Sequence, residues 1–163
     1  MRTIKSPNNI LNRDEGSTTV FLAGSIEMGR ACNWQQTVEQ RLKDYKDDIL
    51  TIFNPRRKKF DETILPNTSD ARFVEQVEWE LDAMEKCDYI FMYFVPGTLS
   101  PITLLELGLH ADNIAKLIVC CPGGFWREGN IEIVCKKYNI PFHRNFDDAL
   151  EQLRGWIDCD HGS

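Results

Sequence analysis

Two glutamates carry the strongest chemical signal in this chain. Glu106 stands in "SPITLLELGLHA", Ser100 to Ala111, among Leu104, Leu105, Leu107 and Leu109. A carboxylate in apolar surroundings must be paired, be protonated or take part in a reaction. The plainer reading is a half-exposed helix glutamate that meets His110 four residues on. Glu80, in "QVEWELDAMEKC", carries little weight alone, because most helix glutamates are solvated surface. It gains weight with a partner. If the helices bearing Glu80 and Glu106 flank one strand, the two carboxylates converge near its end. Paired carboxylates suit chemistry at a sugar's anomeric carbon, where one attacks or stabilises positive charge and the other holds a hydroxyl or moves a proton. Trp79 and Trp34 offer stacking surfaces for a base, although buried tryptophans are more often core.

The elements that would position these groups are legible as apolar runs. "TTVFLAG", "ILTIFNP", "DYIFMYFV" and "AKLIVCC" read as four buried strands, and "IPFHR" as a fifth. Between them, "NWQQTVEQRLKDY" places Trp34, Val38 and Leu42 on one helical stripe, and "DARFVEQVEWELDAMEKC" does the same for Phe73, Val77, Leu81 and Met84. The Ser100–Pro101 pair opens a helix, the serine hydroxyl serving as cap. "IEIVCKKY" and "FDDALEQLRGWI" supply two more helices. Strands that alternate with helices and run continuously apolar predict a doubly wound α/β domain. Its five-stranded parallel sheet would be flavodoxin-like or Rossmann-like. A single domain is expected over residues 17–157, after a loosely held extension (1–16) and before a short tail (158–163).

Ligands of such folds bind beyond the carboxyl ends of the strands. That rule selects Gly24 and Ser25 after the first strand, Asn54 and Arg56 after the second, Ser100 before the third helix, and the loop "PGGFWREGN". "GSIEMGRA" has the glycine spacing of a phosphate loop but lacks its lysine and hydroxyl. Glu27 adds negative charge where an anion needs positive partners, so a neutral ligand suits the loop better. A glycine turn is also ordinary punctuation after a strand, and an N-cap is the structural alternative for Asn130.

A formal charge of −6 and a pI near 5.1 argue against a binder of nucleic-acid polymers. RRKK at 56–59 is the one basic cluster. No segment has the apolar length of a membrane span, and the start "MRTIKSPNNILNRDEGS" lacks an apolar leader core, so a cytoplasmic protein is expected. The six cysteines form no CxxC pair and the three histidines are scattered, so no metal is predicted. Cys87, Cys120 and Cys121 read as reduced core residues.

Taken together, "VFLAGSIEMG", "WQQ", "NPRR", "EWELDAMEKCDYIFMYF", "SPITLLELGLHA" and "FWREGNIEIVC" resemble the nucleoside deoxyribosyltransferase superfamily, closest to its branch of deoxyribosyltransferase-like proteins. The likeness runs from about Val20 to Cys135. It implies that Glu106, the glutamate of the "ELG" motif, is a nucleophile forming a glycosyl ester. Glu80 would contact the sugar hydroxyls and help protonate the departing base. The position of Ser100 is commonly aspartate in the transferases and serine in the related deoxynucleotide hydrolases. Asn130 matches the transferases, where it reaches a neighbouring subunit's site, so the resemblance implies a homo-oligomer. Where the transferases carry a tyrosine beside the nucleophile, this chain has Val20 and Phe21, with Tyr93 as a candidate substitute. The implied partners are a nucleoside or nucleotide and a free nucleobase. No cofactor is required for cleavage of an N-glycosidic bond by a carboxylate and a proton donor.

Overall fold

The computed structural model describes residues 1–27, 31–57, 61–113 and 116–162. Gly29 and Arg30 of the glycine loop, and Lys58 and Lys59 of the basic cluster, lie outside them. Six strands and five helices follow in the order β1 (Arg2–Lys5), β2 (Thr18–Gly24), α1 (Trp34–Arg41), β3 (Leu50–Asn54), α2 (Ala71–Lys86), β4 (Tyr89–Tyr93), α3 (Pro101–His110), β5 (Leu117–Cys120), α4 (Glu128–Tyr138), β6 (Phe142–His143) and α5 (Phe146–Asp160). All strand pairs are parallel, in the spatial order β1-β3-β2-β4-β5-β6. Apart from β1 this is the flavodoxin order, and it reverses direction between β2 and β4.

The sixth strand corrects the expected five. β1 falls in the segment read as a loose extension, yet Arg2 to Lys5 pair with Thr51 to Asn54 along the edge of the sheet. A four-residue strand with one apolar residue buried, Ile4, gives too short a period-2 signal to separate from a polar leader. Its register comes from the neighbouring strand, a non-local cause.

Strand residues alternate between two cores. One face carries Phe21, Ala23, Phe53, Ile90, Met92 and Val119 beneath α2, α3 and α4. The other carries Val20, Leu22, Ile52, Phe91 and Ile118 beneath α1 and α5. Burial on both faces explains why the strands read as unbroken apolar runs. Cys87, Cys120, Cys121 and Cys135 are buried free thiols within these cores. Among the described residues, no helix is long and apolar enough to cross a membrane, and no group of three His, Cys, Asp or Glu side chains could hold a metal ion.

The stripe expected on α2 is rotated. Leu81 is 44% exposed, while Trp79, Ala83 and Met84 are buried and Gln76 and Glu80 are half-buried beside them. Polar residues thus hold part of the inward face, which is why an apolar periodicity misplaces it.

Candidate active site

The site lies on the α2 and α3 side of the sheet, at the carboxyl end of β2 and β4. α3 packs against β2 and turns Thr103, Glu106 and Leu107 inward. Glu106 is 7% exposed and has no hydrogen-bond partner among the described residues. Burial pushes its pKa up to about 8, and the negative charge of Glu80 adds to the rise. Glu80 lies on α2, near enough for its charge to act on Glu106.

Glu80, unlike Glu106, is held. Gln76, one turn earlier, donates from Nε2 to its Oε1 at 2.5 Å. The orientation of that amide is fixed from its other end, because Gln76 Oε1 accepts from Ser6 Oγ and from Arg57 Nε, each at 2.6 Å. Burial pushes the Glu80 pKa up, while the Gln76 bond and the Arg57 charge oppose that rise. The pair is therefore asymmetric. Both carboxyls are pushed up by burial; Glu80 has a hydrogen bond and a positive charge opposing the rise, and Glu106, pushed up to about 8, has neither.

Gly24 ends β2 at φ +152°, where an added Cβ would lie 2.3 Å from the Tyr93 carbonyl and 2.7 Å from Trp34 Cζ2, so only glycine fits. Ser25 follows, buried, with its N–H donated to the Tyr93 carbonyl at 3.1 Å. Its Oγ meets Thr98 Oγ1 at 2.8 Å and Ser100 Oγ at 2.5 Å, and Thr98 Oγ1 meets Ser100 Oγ at 2.9 Å. Three hydroxyls thus close a ring at the switch point of the sheet.

The expected cap of α3 is corrected here. Ser100 stands at the N-cap in the left-handed region (φ 43°, ψ 52°) and its hydroxyl makes no capping bond. Glu27 caps the helix instead, one carboxylate oxygen accepting the N–H groups of Leu99 and Ser100 at 2.9 Å each. Glu27 is itself left-handed, at φ 48°. Two non-glycine residues in that region cost about 1–2 kcal/mol each and persist because this network over-determines them.

Other expected site residues fall elsewhere. Trp34, the first residue of α1, is 3% exposed against the sheet and donates Nε1–H to the Ser25 carbonyl. The ring of Trp79 packs against Phe21 and Phe53 and donates to the Asn8 carbonyl. Both tryptophans are core residues, not open stacking surfaces. Asn54 is buried on the α1 side, donating to Glu39 at 2.6 Å and accepting the Arg56 N–H at 2.9 Å, so it stops β3. Arg56 spends its guanidinium on the Ala31 and Cys32 carbonyls and on Gln35 Oε1. Asn130 is exposed in the first turn of α4, which begins at Glu128 with Arg127 as its cap residue, so Asn130 is not an N-cap. Tyr93 packs on Trp34 and Phe146, across the sheet from Glu106. Phe21 is the strand residue that faces the α2 side. Sequence reasoning missed Gln76, Thr98 and the capping role of Glu27. The four-residue spacing from Gln76 to Glu80 is the only one of these signals a sequence carries. Two broad surface concavities, of about 550 and 600 Å³, line the outer side of α2 and the opposite end of the sheet, and neither includes Glu106.

No curated protein matches the chain significantly. Among solved structures, a conserved protein from Enterococcus faecalis V583 superposes with a TM-score of 0.59 at 9% identity, covering 85% of this chain and 98% of that one. That likeness concerns the fold alone. A family profile described as nucleoside 2-deoxyribosyltransferase like matches residues 17–125. The matched span runs from β2 past α3 and so contains Gly24, Glu27, Glu80, Ser100 and Glu106 within one continuous match. With its buried carboxylate pair seated inside that span, the chain belongs to the nucleoside 2-deoxyribosyltransferase-like family.

Proposed function

We propose that this protein is a nucleoside 2'-deoxyribosyltransferase that exchanges the base of a 2'-deoxynucleoside through a covalent ester on Glu106. The observation that carries the proposal is the isolation of Glu106: a nearly buried carboxylate with no hydrogen-bond partner among the described residues, near a second carboxylate that has one. In the first step the anomeric carbon loses its bond to the base nitrogen and gains one to a Glu106 oxygen. The proton of Glu106 passes to Glu80, which frees the Glu106 carboxylate to attack, and the base leaves with the electron pair and takes that proton from Glu80. An incoming base then attacks the anomeric carbon, Glu106 departs as carboxylate, and the proton of the new base returns to the pair. Leu107, buried beside Glu106, and Leu104, packed against the same core, keep the ester from water.

An N-glycoside hydrolase of (deoxy)nucleosides or their 5'-monophosphates is the second reading, with water as acceptor. Ser100 and Phe21 favour it, the first because the related hydrolases carry serine there and the second because it has no phenolic hydroxyl. A non-catalytic nucleotide-binding module is the third. We also propose a homo-oligomer in which Asn130 reaches a neighbouring site. Exposed Leu99, Ile102, Leu105, Leu109 and Trp126 support it, since the first four continue along the outer side of α3 and Trp126 Nε1 donates to the Leu99 carbonyl.

The test is incubation of the pure protein with deoxyinosine or thymidine, with and without adenine, beside Glu106→Ala. Deoxyadenosine formed only by the wild type supports the transferase. Free base without exchange supports the hydrolase, and no turnover on a full substrate panel leaves the binding module.

A further inference from the structure

The start of α3 is the natural anion seat of this fold. It follows the switch point, its backbone N–H groups are unpaired within the helix, and its dipole favours negative charge. Here the chain fills that seat itself. Glu27 Oε1 accepts both Leu99 N–H and Ser100 N–H, and among the described residues no basic side chain pairs with Glu27. Among the described residues its charge meets only the backbone N–H groups at the head of α3.

The place of this charge relative to the reacting carbon follows from helix geometry. Side chains on a helix lean toward its N-terminus, so the Glu106 carboxylate is displaced from its own turn toward Ser100. A furanose whose anomeric carbon meets Glu106, with Glu80 at its hydroxyls, then has its remaining exocyclic arm directed along α3 to the ring of Ser25, Thr98 and Ser100. Those groups donate and accept hydrogen bonds but carry no charge, which suits a hydroxyl. Glu27 stands immediately beyond them.

We infer that Glu27 is a specificity-determining residue: it serves as a built-in anion at the head of α3 and restricts the site to nucleosides with a free 5'-hydroxyl, rejecting 5'-monophosphates. The inference rests on the proposed reaction for the orientation of the sugar. Two like charges at this range, one of them a phosphate, oppose binding strongly in a partly desolvated cleft. Loss of the Glu27 charge with retention of its hydrogen-bonding oxygen should remove the discrimination without removing the cap.

The experiment compares wild type with Glu27→Gln on the four common 2'-deoxynucleosides and their 5'-monophosphates. Base release gives kcat/KM and calorimetry gives Kd, so that the answer does not depend on turnover. In the wild type the nucleoside is expected to be preferred by about tenfold or more, and that preference should shrink at high salt. Glu27→Gln is expected to shift the monophosphate-to-nucleoside ratio by about tenfold toward the monophosphate. A wild type that takes both forms equally overturns the inference, as does a Glu27→Gln ratio equal to that of the wild type. Binding of neither form by either protein overturns it too. Discrimination in Kd without base release would instead overturn the catalytic reading and keep the role of Glu27.

Discussion

Replacing Glu106 by glutamine should change stability in a way that depends on pH. In the folded protein the carboxyl titrates at about 8, against an ordinary value of 4.5, because burial and the Glu80 charge both disfavour its anion. Between those two values the folded chain holds a proton at this site that the unfolded chain has lost, so unfolding free energy falls as pH rises. At about 1.4 kcal/mol for each tenfold change in proton affinity, the ceiling on that loss is about 5 kcal/mol by pH 8. Water reaching the 7% of Glu106 that is exposed makes the real figure smaller. Glutamine is nearly isosteric and has no charge to desolvate, though its unpartnered amide costs about 1–3 kcal/mol at every pH. The diagnostic is therefore the slope. Urea unfolding of both proteins at intervals from pH 5 to pH 9 should show the variant gaining on the wild type by several kcal/mol between pH 5 and pH 8, then running parallel. Titrating groups other than Glu80, which is coupled to Glu106, are common to both chains and cancel. A stability difference independent of pH would refute the picture of a desolvated, unpartnered carboxylate, whatever the activity of either protein.

Three more outcomes are expected. Gln76→Leu should lower kcat by about tenfold to a hundredfold with KM little changed, because Glu80 loses the one donor it has among the described residues; it should also move the acid limb of the pH profile upward, and an unmoved limb would assign Gln76 to packing alone. Gly24→Ala should destabilise by about 2–4 kcal/mol in urea unfolding, since its Cβ would press on the Tyr93 carbonyl; a neutral result would contradict the tight approach of β2 and β4. Leu105→Glu with Leu109→Glu should convert the oligomer to an 18.9 kDa species in sedimentation, and a wild type already of that mass at micromolar concentration would end the proposal of a homo-oligomer.

The central strands and the helices between them were legible because each is buried on a whole face and so carries a continuous or 3.6-period apolar signal. β2 runs from Thr18 to Gly24 as its sequence predicts. Glu106 was legible for a complementary reason, as a charge out of place among leucines. What escaped was set by contacts distant in sequence. β1 depends on β3, 49 positions on in the Arg2 to Thr51 pairing, and the cap of α3 comes from Glu27, 73 residues before Ser100. Trp34 and Trp79 were candidates for the ligand and proved to be core, since nothing in a sequence says which way a tryptophan beside a functional residue turns. α2 misled for the same reason in reverse: its inward face holds Gln76 and Glu80, whose presence there serves the site and not the core.

The bond from Ser6 to Gln76 ties the outermost strand of the sheet to the carboxylate pair. β1 is four residues long and paired on one side only, so it belongs among the first segments to open on warming. Each opening would release the Gln76 amide from one of the two donors that fix its direction, while the rest of the sheet stays closed. Heat should then silence the proposed activity before it melts the protein, and the gap between the temperature of inactivation and that of unfolding would measure how firmly this single strand is stitched down.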